Sequence, residues 1–259
     1  MLALVTGASS GIGLMYAREL ARRGHDLLIV SNQEKEIVET AEAIHKEYGV
    51  GCTPLYRDLA ADGAAEELFA YCEEKRMEIE ILVNNAGVFF FNPLTETSVG
   101  RIDLMLKLHV ITATHMTRLF GGAMAKRGHG YILNMSSMSA WMAMPGISIY
   151  NSTKSYILNM SRSLWYEFMP KGVSVTAVCP GAVDTGLYGL SPYWRRVAVR
   201  LGISMPPEKL AKRGLDAMFR RKKQAVPGWI NRWLFIPLIK HLPDWTVFTV
   251  MKRLKQFQK

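Results

Sequence analysis

A glycine-rich run, Thr6-Gly7-Ala8-Ser9-Ser10-Gly11-Ile12-Gly13, follows the aliphatic stretch Leu2–Thr6 and opens a helical window at Ile12–Arg23. A strand that feeds a helix through such a turn is the context in which glycine spacing carries meaning. Glycine adopts positive φ without strain and lets backbone N–H groups approach an anion with no Cβ in the way. The helix N-terminus adds a partial positive charge facing that anion. Gly7, Ser9, Ser10, Gly11, Ile12 and Gly13 are therefore the candidate cradle for a dinucleotide pyrophosphate. The spacing is G-x-x-x-G-x-G, unlike the G-x-G-x-x-G of long dinucleotide-binding dehydrogenases.

The same alternation continues along the chain. Strand candidates are Leu2–Thr6, Leu27–Val30, Thr53–Arg57, Ile81–Asn84, Tyr131–Met135 and Ser174–Cys179, with a short last strand and turn at Ala225-Val226-Pro227-Gly228. Helical windows lie at Ile12–Arg23, Glu34–Tyr48, Ala64–Lys75, Arg101–Lys126, Ser152–Met169 and Glu208–Arg221. Strands alternating with helices predict an α/β fold, a doubly wound parallel sheet with helices on both faces. The 259 residues suffice for one such domain, over 1–228, followed by a basic aromatic tail over 229–259. Cys52, Cys72 and Cys179 have neither metal-ligand spacing nor a disulfide framework, which points to a reducing compartment. Leu2-Ala3-Leu4-Val5 reads as the first strand and not as a secretory signal, and no apolar run reaches the roughly 20 residues of a spanning helix. A cytoplasmic protein is expected.

Beyond the glycine run, Asp58, with Leu59 beside it, follows the third strand, where a carboxylate can accept from an adenine amino group. Asn84-Asn85-Ala86-Gly87 follows the fourth strand, and small residues there suit close passage of a cofactor. Asn85, Ala86 and Gly87 are candidates for that contact, although Asn84 and Asn85 equally suit bonding of backbone across neighbouring strands. An acidic residue at the end of the second strand bonds a ribose 2′-hydroxyl, whereas arginine accepts a 2′-phosphate. This chain has Ser31 and Asn32. The missing carboxylate removes an obstacle to the phosphate, so NADP(H) is preferred over NAD(H).

Tyr150 and Lys154 are four residues apart, one helical turn on the same face, and Ser137 stands thirteen residues earlier. A tyrosine titrates near pH ~10 in isolation. A neighbouring ammonium group and a nicotinamide cation both favour the phenolate. Such a phenol passes a proton to a carbonyl oxygen or takes one from an alcohol. Ser137 would hold the same oxygen, and Lys154 would also bind ribose hydroxyls. Together with the glycine run, these residues point to hydride transfer at a carbonyl carbon.

In these motifs the chain resembles the short-chain dehydrogenase/reductase family. Thr6–Gly13, Asn84–Gly87, Ser137, Tyr150, Lys154 and Pro180-Gly181 follow that family's order and spacing over residues 1–185. The resemblance implies a Rossmann-type sheet of strand order 3-2-1-4-5-6-7, with Pro180, Gly181, Val183 and Thr185 along the nicotinamide and its phosphate. It also implies a homodimer or homotetramer through the helices near 101–126 and 152–169. One position departs from the pattern: the family's asparagine, 28 residues before the serine, is His109 here. Three consequences are open: a main-chain carbonyl serves the proton relay unaided, the imidazole itself passes protons, or the relay is impaired.

Residues 186–207 have the Gly, Pro and aromatic content of a substrate-covering lid. Leu187, Tyr188, Leu190, Tyr193 and Trp194, with Phe89–Phe91, Trp141, Met142 and Met144, would form an apolar wall. Such a wall suits a steroid, bile acid or 3-oxoacyl chain, and Arg195, Arg196 and Arg200 suit an anionic group on it; equally, several of these aromatics would simply pack. The net charge of +10 is uneven, with residues 190–259 holding 16 Lys/Arg against 3 Asp/Glu. That tail, with Trp229, Trp233, Phe235 and Trp245, fits a solvated surface, a subunit contact or peripheral docking on anionic membrane. Nucleic acid is not expected, because no recognition motif accompanies the charge. A cofactor-binding sensor or scaffold is the alternative to an enzyme.

Overall fold

Successive side chains of a strand face opposite sides of a sheet, and the first two strands sort their residues accordingly. Ala3 and Val5 join Leu27 and Ile29 in one buried cluster, whereas Leu4 joins Leu28 and Val30 in another. Both faces are therefore covered, as a parallel sheet requires. Fully burying a leucine such as Leu4, Leu28 or Leu82 contributes about 1.5–3 kcal/mol relative to leaving it in water.

The computed structural model describes residues 1–183, 204–228, 236–240 and 243–253. Its strands are β1 (Leu2–Thr6), β2 (Asp26–Ser31), β3 (Cys52–Tyr56), β4 (Ile79–Asn84), β5 (Gly130–Met135), β6 (Val173–Val178), β7 (Ala182–Val183), β8 (Ser204–Met205) and β9 (Gln224–Ala225). Seven of them form one sheet in the order β3-β2-β1-β4-β5-β6-β9, every pair parallel. This is the expected 3-2-1-4-5-6-7 order, with the two-residue β9 as its seventh strand. β7 and β8 pair separately, so the described end of the expected lid is a short parallel ladder. The rest of that lid, and with it Thr185, Leu187, Tyr188, Leu190, Tyr193, Trp194, Arg195, Arg196 and Arg200, lies outside the described residues.

The helices are α1 (Gly11–Arg22), α2 (Glu34–Tyr48), α3 (Ala64–Glu74), α4 (Val99–Leu106), α5 (Ala113–Arg127), α6 (Ser148–Phe168), α7 (Pro207–Phe219), α8 (Ile236–Lys240) and α9 (Asp244–Arg253). α1 and α7 pack together, joined by Arg23, whose Nη2 donates to Glu19 and Asp216 at 2.7 Å each. Two expectations about helices change. The window 101–126 is not one α-helix, because a π-helical turn at Lys107–Thr112 separates α4 from α5. The helix expected from Ser152 begins at Ser148, with Ile147 as its N-cap, just beyond Pro145 and Gly146, where Gly146 holds φ +84°. Its first turn, which carries Tyr150, lies ahead of the window expected from the sequence. In the tail, Trp245 and Phe248 are exposed on α9. No described helix is long and apolar enough to cross a membrane.

Candidate active site

In an open α/β sheet, ligands bind outside the carboxyl ends of the strands where the strand order reverses. That reversal falls here at β1, between β2 and β4. A cavity of about 500 Å³ lies there, lined by the turns after β1, β2, β3, β4, β5 and β6.

The glycine turn is shaped by close packing as much as by exposed backbone. Gly7 has φ +65°, and a Cβ on Gly13 would lie 2.0 Å from the Gly7 oxygen and 2.5 Å from Asn85 Nδ2. Asn85 Nδ2 donates to the Thr6 oxygen at 3.0 Å and the Gly7 oxygen at 3.3 Å. Thr6 Oγ1 accepts from the backbone N–H groups of Asn85 and Ala86, at 3.0 Å each. The turns after β1 and β4 are thus tied into one floor. Asn84 works one layer deeper, its Nδ2 donating to Asn134 Oδ1 at 2.8 Å and Thr117 Oγ1 at 3.0 Å. Asp58 Oδ1 accepts from Ala60 N–H at 2.9 Å, and Thr112 Oγ1 donates to the Leu59 oxygen at 2.7 Å.

On the opposite wall, α6 presents Tyr150 and Lys154. Lys154 is buried; its Nζ donates to the Met135 oxygen at 2.9 Å and sits 5.5 Å from the centre of the Tyr150 ring. Burial brings its pKa down to about 8, opposed only by the nearby Cys179. Ser137 Oγ accepts from Ser139 N–H at 3.1 Å, which leaves its own proton available to donate. The Phe89 ring meets Tyr150 edge-on at 5.0 Å. Phe91 packs at Gly146, where an added Cβ would lie 2.6 Å from the ring. Trp141, expected in the apolar wall, instead packs beside Leu158, Ala177 and Cys179.

His109 is 2% exposed. Its Nε2 accepts from Val88 N–H at 3.1 Å, while Nδ1 lies 3.0 Å from Thr153 Oγ1. Thr153 Oγ1 in turn donates to the Tyr150 oxygen of the main chain at 2.9 Å. Because Nε2 accepts, Nδ1 carries the proton and donates to the threonine. Burial, then the charge of Lys154, push the imidazole pKa well below its ordinary value. Of the three consequences left open by the sequence, proton passage by the ring fits least, because both nitrogens are engaged and the charged form is disfavoured.

Every residue singled out for catalysis or cofactor contact lines the cavity except Gly13, which packs behind the turn, and Thr185, outside the described residues. Sequence reasoning missed Gln33, Arg57, Val88, Leu104, Leu108, Met135 and Ser136, which also line it. Arg57 and Ser136 adjoin residues that were singled out, so strand-end position was an available signal. Leu104 and Leu108 offered none, because helical periodicity does not say which face meets a cavity.

A doubly wound parallel sheet with a glycine turn at its switch point defines a Rossmann-type dinucleotide-binding fold. A family model described as short chain dehydrogenase matches residues 1–194, and the chain belongs to that family. Very-long-chain 3-oxoacyl-CoA reductase-B of Danio rerio is 34% identical over 191 residues, covering 71% of this chain and 60% of the relative. The chain thus spans less than two thirds of that relative's length. A short-chain dehydrogenase from Sphingobium yanoikuyae, solved in complex with NADPH, superposes with a TM-score of 0.80 at 29% identity, covering 100% of this chain and 98% of the other. The bulky-bulky ketone specific alcohol dehydrogenase of Comamonas testosteroni gives 0.78 at 28% identity, covering 98% and 95%.

Proposed function

We propose that the protein is an NAD(P)(H)-dependent oxidoreductase that interconverts a carbonyl group and a secondary alcohol on a hydrophobic substrate. One observation carries this reading: Ser137, Tyr150 and Lys154 line the same cavity as the glycine turn. The turn fits a dinucleotide. Gly7 and Gly11 hold positive φ, and Gly7, Ser9, Ser10, Gly11 and Ile12 line the cavity at the start of α1, where backbone N–H groups lack helical partners. Asp58 and Leu59 would hold the adenine end; Asn85, Ala86 and Gly87 the ribose; Pro180, Gly181, Val183 and Thr185 the nicotinamide end. A nicotinamide bound there supplies or accepts the hydride.

The remaining chemistry belongs to the chain. Ser137 donates its hydroxyl proton to the substrate oxygen and holds it beside Tyr150. The Tyr150 hydroxyl gives that oxygen a proton in reduction and takes one in oxidation. Lys154 contributes positive charge near the phenol, which favours its ionised form, and binds ribose hydroxyls. His109 orients the turn of α6 that bears Tyr150, through Thr153.

The Phe89 ring, packed edge-on against Tyr150, supports a hydrophobic substrate. Two of the similar proteins bear names consistent with this, a 3-oxoacyl-CoA reductase and an enzyme specific for bulky ketones. A steroid, bile-acid or 3-oxoacyl ketone fits the same description. A homodimer or homotetramer would cover Leu106, Ile111 and Tyr156, which are exposed on α4, the π-turn and α6.

The test is a screen of ketones and secondary alcohols with both coenzymes, followed at the absorbance of the reduced nicotinamide. A hydrophobic ketone should be reduced by the wild type and not by Tyr150→Phe. Undiminished turnover in Tyr150→Phe, or no binding of either coenzyme, overturns the reading.

A further inference from the structure

Three turns meet at the end of the cavity beyond β2, and they contain a cation with unused hydrogen-bonding capacity. Ser9 Oγ lies 2.8 Å from Ser31 Oγ and donates to Gln33 Oε1 at 2.7 Å, while Gln33 N–H donates to Ser31 Oγ at 3.1 Å. Arg57 is held beside them, its backbone N–H donating to the Ser31 oxygen at 2.8 Å. All four residues line the cavity. Among the described residues the Arg57 guanidinium bonds only Glu67, through Nη1, and its Nε is buried with no partner.

We propose that Arg57 binds the adenosine 2′-phosphate and sets the preference for NADP(H) over NAD(H), an inference that rests on the nucleotide-dependent reading above. The ribose 2′ position is read at the end of the second strand, and Ser31, Asn32 and Gln33 place no carboxylate there. What the site offers instead is a hydroxyl pair, a carboxamide and a guanidinium, a donor set suited to a phosphate dianion. Two carboxylates are near. Asp58 lines the cavity with one oxygen engaged by Ala60. Glu67 is 60% exposed, and a pair with so exposed a partner holds weakly, so a dianion displaces it from the guanidinium.

Calorimetric titration of NADP⁺, NAD⁺, 2′,5′-ADP and 5′-AMP into wild type, Arg57→Gln and Glu67→Gln tests this without a known substrate. Wild type should bind the 2′-phosphorylated member of each pair more tightly. Arg57→Gln should weaken NADP⁺ and 2′,5′-ADP by about 10- to 100-fold, the loss expected of a charged hydrogen bond, with NAD⁺ unchanged as the control for folding. Glu67→Gln should tighten the phosphorylated ligands alone. An Arg57→Gln variant that keeps the wild-type ratio of NADP⁺ to NAD⁺ affinity overturns the assignment and leaves the oxidoreductase reading standing. A wild type that binds neither coenzyme overturns both.

Discussion

A Cβ on Gly87 would lie 2.5 Å from Nε2 of His109, so the glycine after β4 and the histidine of the π-turn are fitted to one another. The histidine fills the space that a side chain at 87 would need, and its Nε2 accepts the N–H of the next residue, Val88. A turn of the cofactor floor is thereby fastened to α6 through Thr153.

Gly87→Ala should therefore destabilise the protein by about 1–3 kcal/mol, the usual cost of overpacking. The same change in a His109→Ala background should cost much less. Denaturant unfolding of the four proteins in this cycle measures the coupling, and additive effects would show that the two sites are independent.

His109 should stay neutral, protonated at Nδ1, across physiological pH. Its folded pKa is lowered, so below about pH 6.5, the ordinary histidine value, the unfolded chain binds a proton that the native one does not. Stability from this source is full above pH 6.5 and falls as pH falls. His109→Gln should flatten the acid side of the stability profile, measured as Tm against pH. Imidazole ¹⁵N shifts should report the tautomer directly.

Lys154 works in the opposite pH range. Its folded pKa of about 8 lies below the unfolded value of about 10.4, so between those values the unfolded chain holds the extra proton. Stability then rises with pH. At pH 7 the ammonium is buried at a cost, and Lys154→Met should stabilise the apoprotein by about 1–3 kcal/mol while abolishing turnover. That gain should shrink as pH approaches 10, as thermal unfolding would show.

Gly13→Ala should fail for a reason unconnected with ligand contact. Its Cβ would strike the Gly7 backbone oxygen at 2.0 Å, and backbone cannot yield as a side-chain tip does. A loss above about 3 kcal/mol is expected, at the upper end of point-mutant effects. Coenzyme affinity should fall with it, and both follow from unfolding and titration of the variant. Near-wild-type stability would show that α1 can move away from the turn.

The sheet and the main catalytic candidates were legible because their signals are local. Leu2–Thr6 running into Gly7 predicts a strand and a tight turn, and Tyr150 with Lys154 predicts a shared helical face. The π-turn at Lys107–Thr112 was not legible, because its backbone pattern has no residue signature and is held by contacts such as Thr112 with Leu59. The start of α6 was missed because the turn carrying Tyr150 lies ahead of the apolar periodicity that marks the rest of the helix.

Residue order alone determined the alternation of strands and helices, the parallel sheet and the shared helical face of Tyr150 and Lys154, since short-range periodicity and spacing encode these. Tertiary structure decided where His109, Gly13 and Arg57 sit and what they touch. Each of these placements depends on atoms far along the chain: Thr153 for the histidine, Asn85 for the glycine, Ser31 for the arginine. Only the winding of the sheet brings those partners within reach.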